Sequence, residues 1–289
     1  MKNKWVEDFE LRQGAIAASR KPDAKPGWFV NRQKQTMVLI PGPVEFQMGS
    51  PVSEENRFDT ETSHKLRIGR SFAIASTHVT LQQYERFKKN YRGEFVSPFD
   101  RDDQLPVAGI SWFMAAAYCN WLSEQEGIDK DEWCFEITNK ETRLKPNYLK
   151  LKGYRLPTEA EMEYTIRAGG GTSRFFGETS ELLPRYAWYS YNAKNKTWPV
   201  GMLKPNDLGV FDAQGNVWSW CMNEYRNYSG EDDGSEKTLI ISRETSRVLR
   251  GPSFLEQPAY VRSAPRSFSL PGNRNVSFGF RAAKTLDLE

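Results

Sequence analysis

Residues 154–169 read YRLPTEAEMEYTIRAG, and this stretch decides the fold. Thr158, followed three residues later by Glu161, forms a capping box, in which each side chain satisfies a free backbone N–H group at the start of a helix. Glycines follow the last helical residue, as is typical of a helix end. Glu159 and Glu163 lie with Glu161 near the positive end of this helix. We interpret the three carboxylates as complements of the helix dipole.

Two other helix starts precede this one. Thr80 with Gln83 forms a second capping box, and Ser111 precedes a helix that reads WFMAAAYCNWLSEQ. Apolar patterns predict short strands at 37–40 and 44–48 and one strand over 66–75. After residue 171 the helical spacing stops, and short aromatic runs alternate with Gly, Asn, Pro and Ser. This texture predicts loops and short strands. The predicted fold class is therefore α+β, with little regular secondary structure.

The domain organisation follows from composition along the chain. Residues 1–36 are polar and contain two prolines between lysines, which predicts an arm or a linker. No boundary is visible after residue 36, so we expect residues 37–284 to form one folded unit. Residues 285–289 are then a C-terminal tail. Residues 229–247 are predicted to be a polar insertion between ordered segments.

Overall composition excludes several classes of protein. The 289 residues carry a formal net charge of +3 with interspersed signs, which gives no argument for nucleic-acid binding. No stretch approaches the ~20 apolar residues of a membrane span, and the N-terminus lacks the apolar core of a secretory signal. Three cysteines without metal-type spacing do not suggest a disulfide framework. We expect a cytoplasmic protein, or a cytoplasmic piece of a larger one.

The common catalytic motifs are absent from the sequence, including those of nucleotide-binding loops, zinc proteases and serine hydrolases. His64 and His78 are the two histidines, and we interpret both as surface or packing residues. The cysteines are interpreted as small buried apolar residues. A loop containing Asp212 and Asn216 carries oxygen atoms of the kind that bind calcium, although such a loop alone is weak evidence for a metal site.

A series of short motifs occurs in order along the chain. They are MVLIP at 37–41, FQMGS at 46–50, VT at 79–80, QY at 83–84, PV at 106–107, SW at 111–112, AYCNWL at 117–122, YRLPTEAE at 154–161, PVG at 199–201, GNVW at 215–218, LRG at 249–251, RSA at 262–264 and GFR at 279–281. With these motifs the chain resembles the formylglycine-generating-enzyme-like family, also called the sulfatase-modifying-factor family. The resemblance covers about residues 37–283. It implies an irregular C-type-lectin-like fold with an aromatic core.

The resemblance also points to a missing copper site. Members that make formylglycine use two cysteines, five positions apart, whose thiolates bind copper. In this chain the two positions fall on Glu256 and Val261, and no cysteine follows Cys221. Soft thiolates suit Cu(I), whereas glutamate and valine do not. The family's Trp-Glu-Trp is here interrupted by Ser219, and that glutamate helps to hold calcium in some relatives. We expect no required cofactor: copper is disfavoured, and calcium stays open.

These observations favour a non-catalytic domain that binds a protein or a peptide. Aromatic and arginine side chains among short polar residues are typical of interaction hot spots. The candidate binding residues are Phe254, Glu256, Tyr260, Arg262, Arg266, Phe268, Asn273 and Asn275. The alternative is a formylglycine-generating-type oxidoreductase, acting on a cysteine of a sulfatase, with an altered metal site. A third interpretation is a regulatory domain of a larger signalling or defence protein, of the kind found in bacteria.

Overall fold

The computed structural model describes residues 27–89, 102–228, 235–236 and 238–287. Within these residues three helices and thirteen short strands alternate with long irregular segments. The elements are β1 (Trp28–Val30), β2 (Thr36–Ile40), β3 (Val44–Met48), β4 (His64–Ile68), β5 (Ser71–Ala75), α1 (Leu81–Phe87), α2 (Trp112–Gln125), β6 (Phe135–Ile137), β7 (Thr142–Leu144), β8 (Tyr154–Arg155), α3 (Glu159–Arg167), β9 (Trp218–Glu224), β10 (Arg247–Arg250), β11 (Arg266–Ser269), β12 (Phe278–Gly279) and β13 (Ala283–Leu286).

The predicted helix starts are confirmed. Thr80 and Thr158 each complete a capping box, and the Ser111 hydroxyl accepts a hydrogen bond from the backbone N–H of Met114. The strand expected over 66–75 is instead two strands, β4 and β5, which are separated by Gly69 and Arg70. Between α3 and β9 the described chain has one short 3₁₀ turn and no strand, which matches the expected loss of regular structure after residue 171.

Two sheets organise the fold. The first has the strand order β1-β2-β5-β13-β8, and the second has the order β11-β10-β9-β12. Because β13 lies between β5 and β8, the two ends of the described chain meet in one sheet. The boundaries expected at 36 and 284 are therefore wrong: β1 pairs with β2, and β13 extends to residue 286. Residues 1–26 lie outside the described residues.

The predicted polar insertion is partly built into the fold. Leu144 donates its backbone N–H to the carbonyl of Leu239, and Ile241 donates to the carbonyl of Thr142, so this part of the insertion pairs with β7. Residues 229–234 and 237 lie outside the described part. The spacing of apolar residues predicts that the helix beginning after Thr80 continues to Tyr91. Tyr91 also lies outside the described residues.

An aromatic core surrounds α2. Tyr118 stacks on Tyr84 at 5.7 Å between ring centroids and meets the edge of Phe280 at 5.3 Å. Trp112 is fully buried, and its indole N–H donates to the carbonyl of Cys221 on β9 at 2.8 Å. These contacts join a helix of the first half to a strand and a loop of the second half. No helix in the described ranges is long and apolar enough to cross a membrane.

Helix α3 differs from the sequence interpretation in one respect. Its three glutamates are buried, and each pairs with arginines rather than only with the helix dipole. Glu161 accepts two hydrogen bonds from Arg155, at 2.6 and 2.8 Å, and lies 2.7 Å from Arg70. Buried charges need partners of this kind, because removal from water costs several kcal/mol per ion.

The other two glutamates of α3 connect it to the last third of the chain. Glu159 pairs with Arg266 of β11 at 2.6 and 3.0 Å. Glu163 pairs with Arg250 of β10 and accepts a hydrogen bond from Arg167 at 2.8 Å. Helix α3 is thus bound by ion pairs to β10 and to β11, in addition to its apolar packing.

We predict that Glu161→Gln destabilises the fold in a pH-dependent way. Burial alone would raise the pKa of Glu161, but the charges of Arg155 and Arg70 lower it to about 2, against an ordinary value of 4.5. The ion pair therefore contributes fully above about pH 4.5 and is lost as the pH falls toward 2. At pH 7 the variant should lose about 3–5 kcal/mol of unfolding free energy, because Arg155 is left as a buried charge without its partner.

Urea denaturation from pH 7 down to pH 3 measures this effect. The exposed Glu181→Gln is the control and should stay within about 0.5 kcal/mol of the wild type. A Glu161→Gln variant as stable as that control at pH 7 would contradict the role given to the pair.

Candidate functional site

A cleft in the described part of the protein has a volume of about 730 Å³. Three segments form its walls: residues 51–56 after β3, residues 171–180 after α3, and residues 257–262 after β10. Tyr191 completes the lining. Apart from a 3₁₀ turn at Pro258–Tyr260, these walls lie outside the helices and strands, so the cleft depends on side chains to hold its shape.

Arg262 joins two of the walls. Its guanidinium donates to both oxygens of Glu61 at 2.9 Å, to a carboxylate oxygen of Glu54 and to the carbonyl of Asn56 at 2.7 Å. Its remaining N–H donates to the carbonyl of Ala259 at 3.1 Å. An arginine has five N–H donors, so all of them are used within the protein. Arg262 fixes the 51–61 loop against the 257–262 segment and has no donor left for a ligand.

Arg174 joins the third wall to the same segment. It donates to the carbonyl of Glu178 at 2.7 Å and to the carbonyl of Pro258 at 2.8 Å. Only 4% of this residue is exposed, and within the described residues no carboxylate lies in ion-pair range of its guanidinium. Burial and the nearby charge of Arg262 lower the pKa of Arg174. The two arginines together set the spacing of all three walls.

Exposed aromatic rings lie on the segments that form the cleft or close to them in the chain, and Tyr191 is the one that lines it. Tyr191 is 76% exposed, and its ring lies 5.9 Å from that of Tyr189. Tyr260 stacks on Phe58 with 5.6 Å between centroids, and both side chains are exposed. Exposed aromatic rings beside a polar cleft provide large contact area at a low cost in conformational entropy. Tyr260 was predicted from the sequence; Tyr191 and Phe58 were not.

The two positions that correspond, by resemblance, to the copper-binding cysteines carry Glu256 and Val261. The surroundings of these two side chains differ. Glu256 is half-buried, and one of its oxygens accepts hydrogen bonds from the indole N–H of Trp218 at 3.2 Å and the hydroxyl of Ser253 at 3.4 Å. Val261 is fully buried and packs in an apolar cluster with Leu183 and Tyr189. A carboxylate and an aliphatic side chain are not ligands for Cu(I).

Three predicted binding residues are not on the surface. Phe254 is buried in the interior. Arg262 is buried with its donors bonded within the protein, and Arg266 is buried against Glu159. The cation of Arg266 also lies 3.9 Å from the ring centroid of Tyr228. The sequence shows that these residues are aromatic or cationic. It does not show which acids pair with the two arginines, since those acids lie 107 to 208 positions away in the chain.

Three of the other predicted residues lie on a second part of the surface. Phe268, Asn273 and Asn275 are exposed on and after β11, where Phe268 packs on Tyr225 at 4.3 Å between centroids. None of them lines the cleft. The cleft and the β11 surface are therefore separate candidates for recognition. Of the eight predicted binding residues, Arg262 lines the cleft, Tyr260 belongs to the same 257–262 segment, and Glu256 directly precedes that segment.

The cysteines are buried and unsuited to chemistry. Cys119, Cys134 and Cys221 are all free thiols in the interior. Burial raises the pKa of all three thiols, that of Cys134 to about 12. A reactive thiolate needs a lowered pKa and access to solvent. The interpretation of the cysteines as packing residues agrees with these environments.

His78 is also a packing residue. It is 1% exposed, its Nδ1 faces Arg281 at 3.2 Å, and its Nε2 lies 2.8 Å from the Ser219 hydroxyl. Burial, together with the charge of Arg281, lowers the pKa of His78 well below its usual range. The imidazole is therefore neutral and links β9 to the segment before α1. Ser219 is used in this contact.

The two calcium candidates differ in how far their oxygen atoms are already used by the protein. Asn216 accepts a hydrogen bond from the backbone N–H of Trp198 at 3.1 Å and donates to its carbonyl at 2.9 Å, so its amide is used on both sides. One oxygen of Asp212 accepts from Gly201 at 2.9 Å, and the other is buried without a partner. Calcium takes six to eight oxygens. Among the described residues no group of three or more acidic, histidine or cysteine side chains converges to hold a metal ion.

We predict that Asp212→Asn stabilises the protein at high pH. Burial raises the pKa of Asp212 to about 6, against an ordinary value of 3.8. The protonated form is thus favoured in the fold, and its contribution is lost as the pH rises through 6. Asparagine tolerates the left-handed backbone of this residue, where φ is 48°. The variant should gain about 1–3 kcal/mol at pH 8 and less at pH 4, since each pKa unit corresponds to about 1.4 kcal/mol.

The measurement is urea unfolding at both pH values, with the exposed neighbour Asp207→Asn as the control. A loss of stability at pH 8 would show that the charge of Asp212 is needed, as it would be for a bound cation.

Calcium removal tests the same residues independently. We predict that EDTA changes the melting temperature by less than about 2 °C, which corresponds to less than about 1 kcal/mol in a protein of this size. A fall of about 10 °C, restored by added calcium, would mean that Asp212 and neighbouring carbonyls hold the ion.

Comparison with known proteins identifies the family to which this chain belongs. The family model of the sulfatase-modifying factor enzyme 1-like domain matches residues 25–286. A protein named formylglycine-generating enzyme from Streptomyces coelicolor is 29% identical over 95% of each chain. The structure of PvdO from Pseudomonas aeruginosa is 26% identical, with a TM-score of 0.71 over 91% of this chain and 100% of that one. Treponema denticola variable protein 1 is also 26% identical, with a TM-score of 0.68 over 86% of this chain and 95% of its own. The chain therefore belongs to the sulfatase-modifying-factor family and has its C-type-lectin-like fold.

Proposed function

We propose that this chain is a recognition module, which uses the cleft to bind a peptide or an exposed segment of a protein and does not make formylglycine. The observation that carries this proposal is the pair of side chains at the redox positions. Glu256 and Val261 offer no thiolate, and the three cysteines of the chain are buried elsewhere. Without thiolates the family's copper chemistry has no ligands at that place.

The cleft itself supports binding. Its volume of about 730 Å³ is within the range of pockets that enclose small molecules or a few peptide residues. Its walls are fixed in advance by Arg174 and Arg262, so little conformational freedom is lost on binding. Tyr191, which lines the cleft, then provides exposed aromatic contact area. A preformed polar cleft with an aromatic rim suits recognition of an extended chain.

A relative adds support of a different kind. Treponema denticola variable protein 1, which shares this fold, is called a variable protein, and sequence variation in a fixed fold is what a recognition role would use. The second candidate function is a sulfatase-directed oxidoreductase. It is favoured by the Streptomyces coelicolor relative named formylglycine-generating enzyme, which matches nearly the whole chain. The two functions differ in what they do to a cysteine peptide.

The experiment has two arms on the full chain. In the first, protein loaded with Cu(I) is incubated with a Cys-x-Pro-x-Arg peptide, which should remain unmodified by mass spectrometry. In the second, a random peptide library is selected on the immobilised protein. Peptides that are enriched should bind Tyr191→Ala about 2 kcal/mol more weakly than the wild type, as expected of a hot spot.

Phe268→Ala is the matched control, since Phe268 is also an exposed aromatic residue and lies outside the cleft. It should bind the selected peptides like the wild type, and both variants should keep their melting temperatures. Conversion of the cysteine to formylglycine would establish the oxidoreductase instead. A loss of binding in Phe268→Ala but not in Tyr191→Ala would move the recognition surface from the cleft to β11.

A further inference from the structure

Glu54 lines the cleft with one carboxylate oxygen unused. Its side chain is 7% exposed, and Oε1 accepts a hydrogen bond from Arg262. The other oxygen, Oε2, has no hydrogen-bond or ion-pair partner among the described residues. Arg262 also donates to both oxygens of Glu61, so that one guanidinium pairs with two carboxylates. These three side chains together keep one uncompensated negative charge at the cleft.

The charge of Glu54 is costly in its surroundings. Burial, together with the charge of Glu61, raises the pKa of Glu54 in spite of its hydrogen bond to Arg262. Removal of a charged group from water is unfavourable unless partners compensate for the lost hydration. A further positive charge at Oε2 would supply that compensation, so the cleft is suited to a cation at this point.

The other charged side chains that line the cleft have the same bias. Glu55 and Glu178 are exposed on two different walls, and neither forms an ion pair within the described residues. The two arginines of the lining do not offset them. Arg262 uses all its donors within the protein, and Arg174 is 4% exposed and donates to backbone carbonyls. The charges that a ligand in the cleft can reach are therefore carboxylates.

We infer that the cleft takes a segment with cationic side chains, lysine or arginine, and that Oε2 of Glu54 binds one of them. This inference rests on the proposed function and names the class of peptide. A hydrogen bond between two charged groups is about twice as strong as one between neutral groups. Tyr191 lines the same cleft with an exposed ring, and the face of such a ring also attracts cations. A metal ion is a less suitable occupant, because within the described ranges no three acidic, histidine or cysteine side chains converge on one point.

The test measures the affinity of the full chain for four fluorescein-labelled peptides by fluorescence anisotropy. In each heptapeptide glycine alternates with a second residue, which is lysine, arginine, the uncharged norleucine or glutamate. We expect saturable binding of the lysine or the arginine peptide, and the comparison of these two shows which cation the cleft prefers. The norleucine and glutamate peptides should bind at least about tenfold more weakly, as expected for loss of a charged hydrogen bond. Added salt should weaken the binding of the basic peptides by screening the charges.

Glu54→Gln keeps an oxygen acceptor for Arg262, which also retains Glu61, and it should bind the preferred basic peptide about tenfold more weakly. Glu55→Gln removes an exposed charge without an ion pair, so the fold should not change, and binding should weaken about two- to threefold. Glu124→Gln, exposed on α2 and outside the cleft, is the matched control and should bind like the wild type. Basic peptides that bind no better than the norleucine peptide, or cleft variants that both bind like the control, would overturn the inference.

The outcome is separable from the proposed function. If the library peptides lose affinity for Tyr191→Ala but carry no excess of lysine or arginine, the preference for cations is wrong and the recognition role stands. If no peptide is enriched and the cysteine peptide is oxidised, the proposed function itself has failed.

Discussion

The fold depends on buried ion pairs between the glutamates of α3 and arginines, most of which come from distant parts of the chain. Glu161 pairs with Arg155 and Arg70, Glu163 with Arg250 and Glu159 with Arg266. Most segments of this protein are not in helices or long strands, so few regular backbone ladders hold them together. A short helix whose charged face is buried gives these segments fixed partners, because a buried charge without its partner costs several kcal/mol.

Buried arginines also hold the loops that form the cleft. Arg262 and Arg174 lie between loops that have no sheet or helix to support them, and they satisfy the carbonyls and carboxylates of those loops. The arginines that a sequence suggests as ligand-binding residues are therefore largely structural. The aromatic ring that remains for a ligand in the cleft is that of Tyr191, which is exposed.

The sequence predicted the fold well, because the evidence for the fold lies in local patterns and short motifs. Capping boxes at Thr80 and Thr158 require only neighbouring residues, and both are present in the structure. The site was predicted less well. Exposure of Tyr191 and burial of Arg262 depend on contacts between loops that are far apart in the chain, and no local pattern encodes them. The boundary at residue 36 failed for the same reason, since β1 is held by pairing with β2 and not by its own composition.

The cleft, rather than the β11 surface, is proposed as the recognition site of this chain. A crystal structure of the chain with a library-selected peptide tests it most directly. The account predicts that the peptide lies between residues 51–56, 171–180 and 257–262, in contact with Tyr191, with the cleft walls in the positions they have without it. A peptide bound instead along β11, on Phe268, with the cleft empty, would contradict the account.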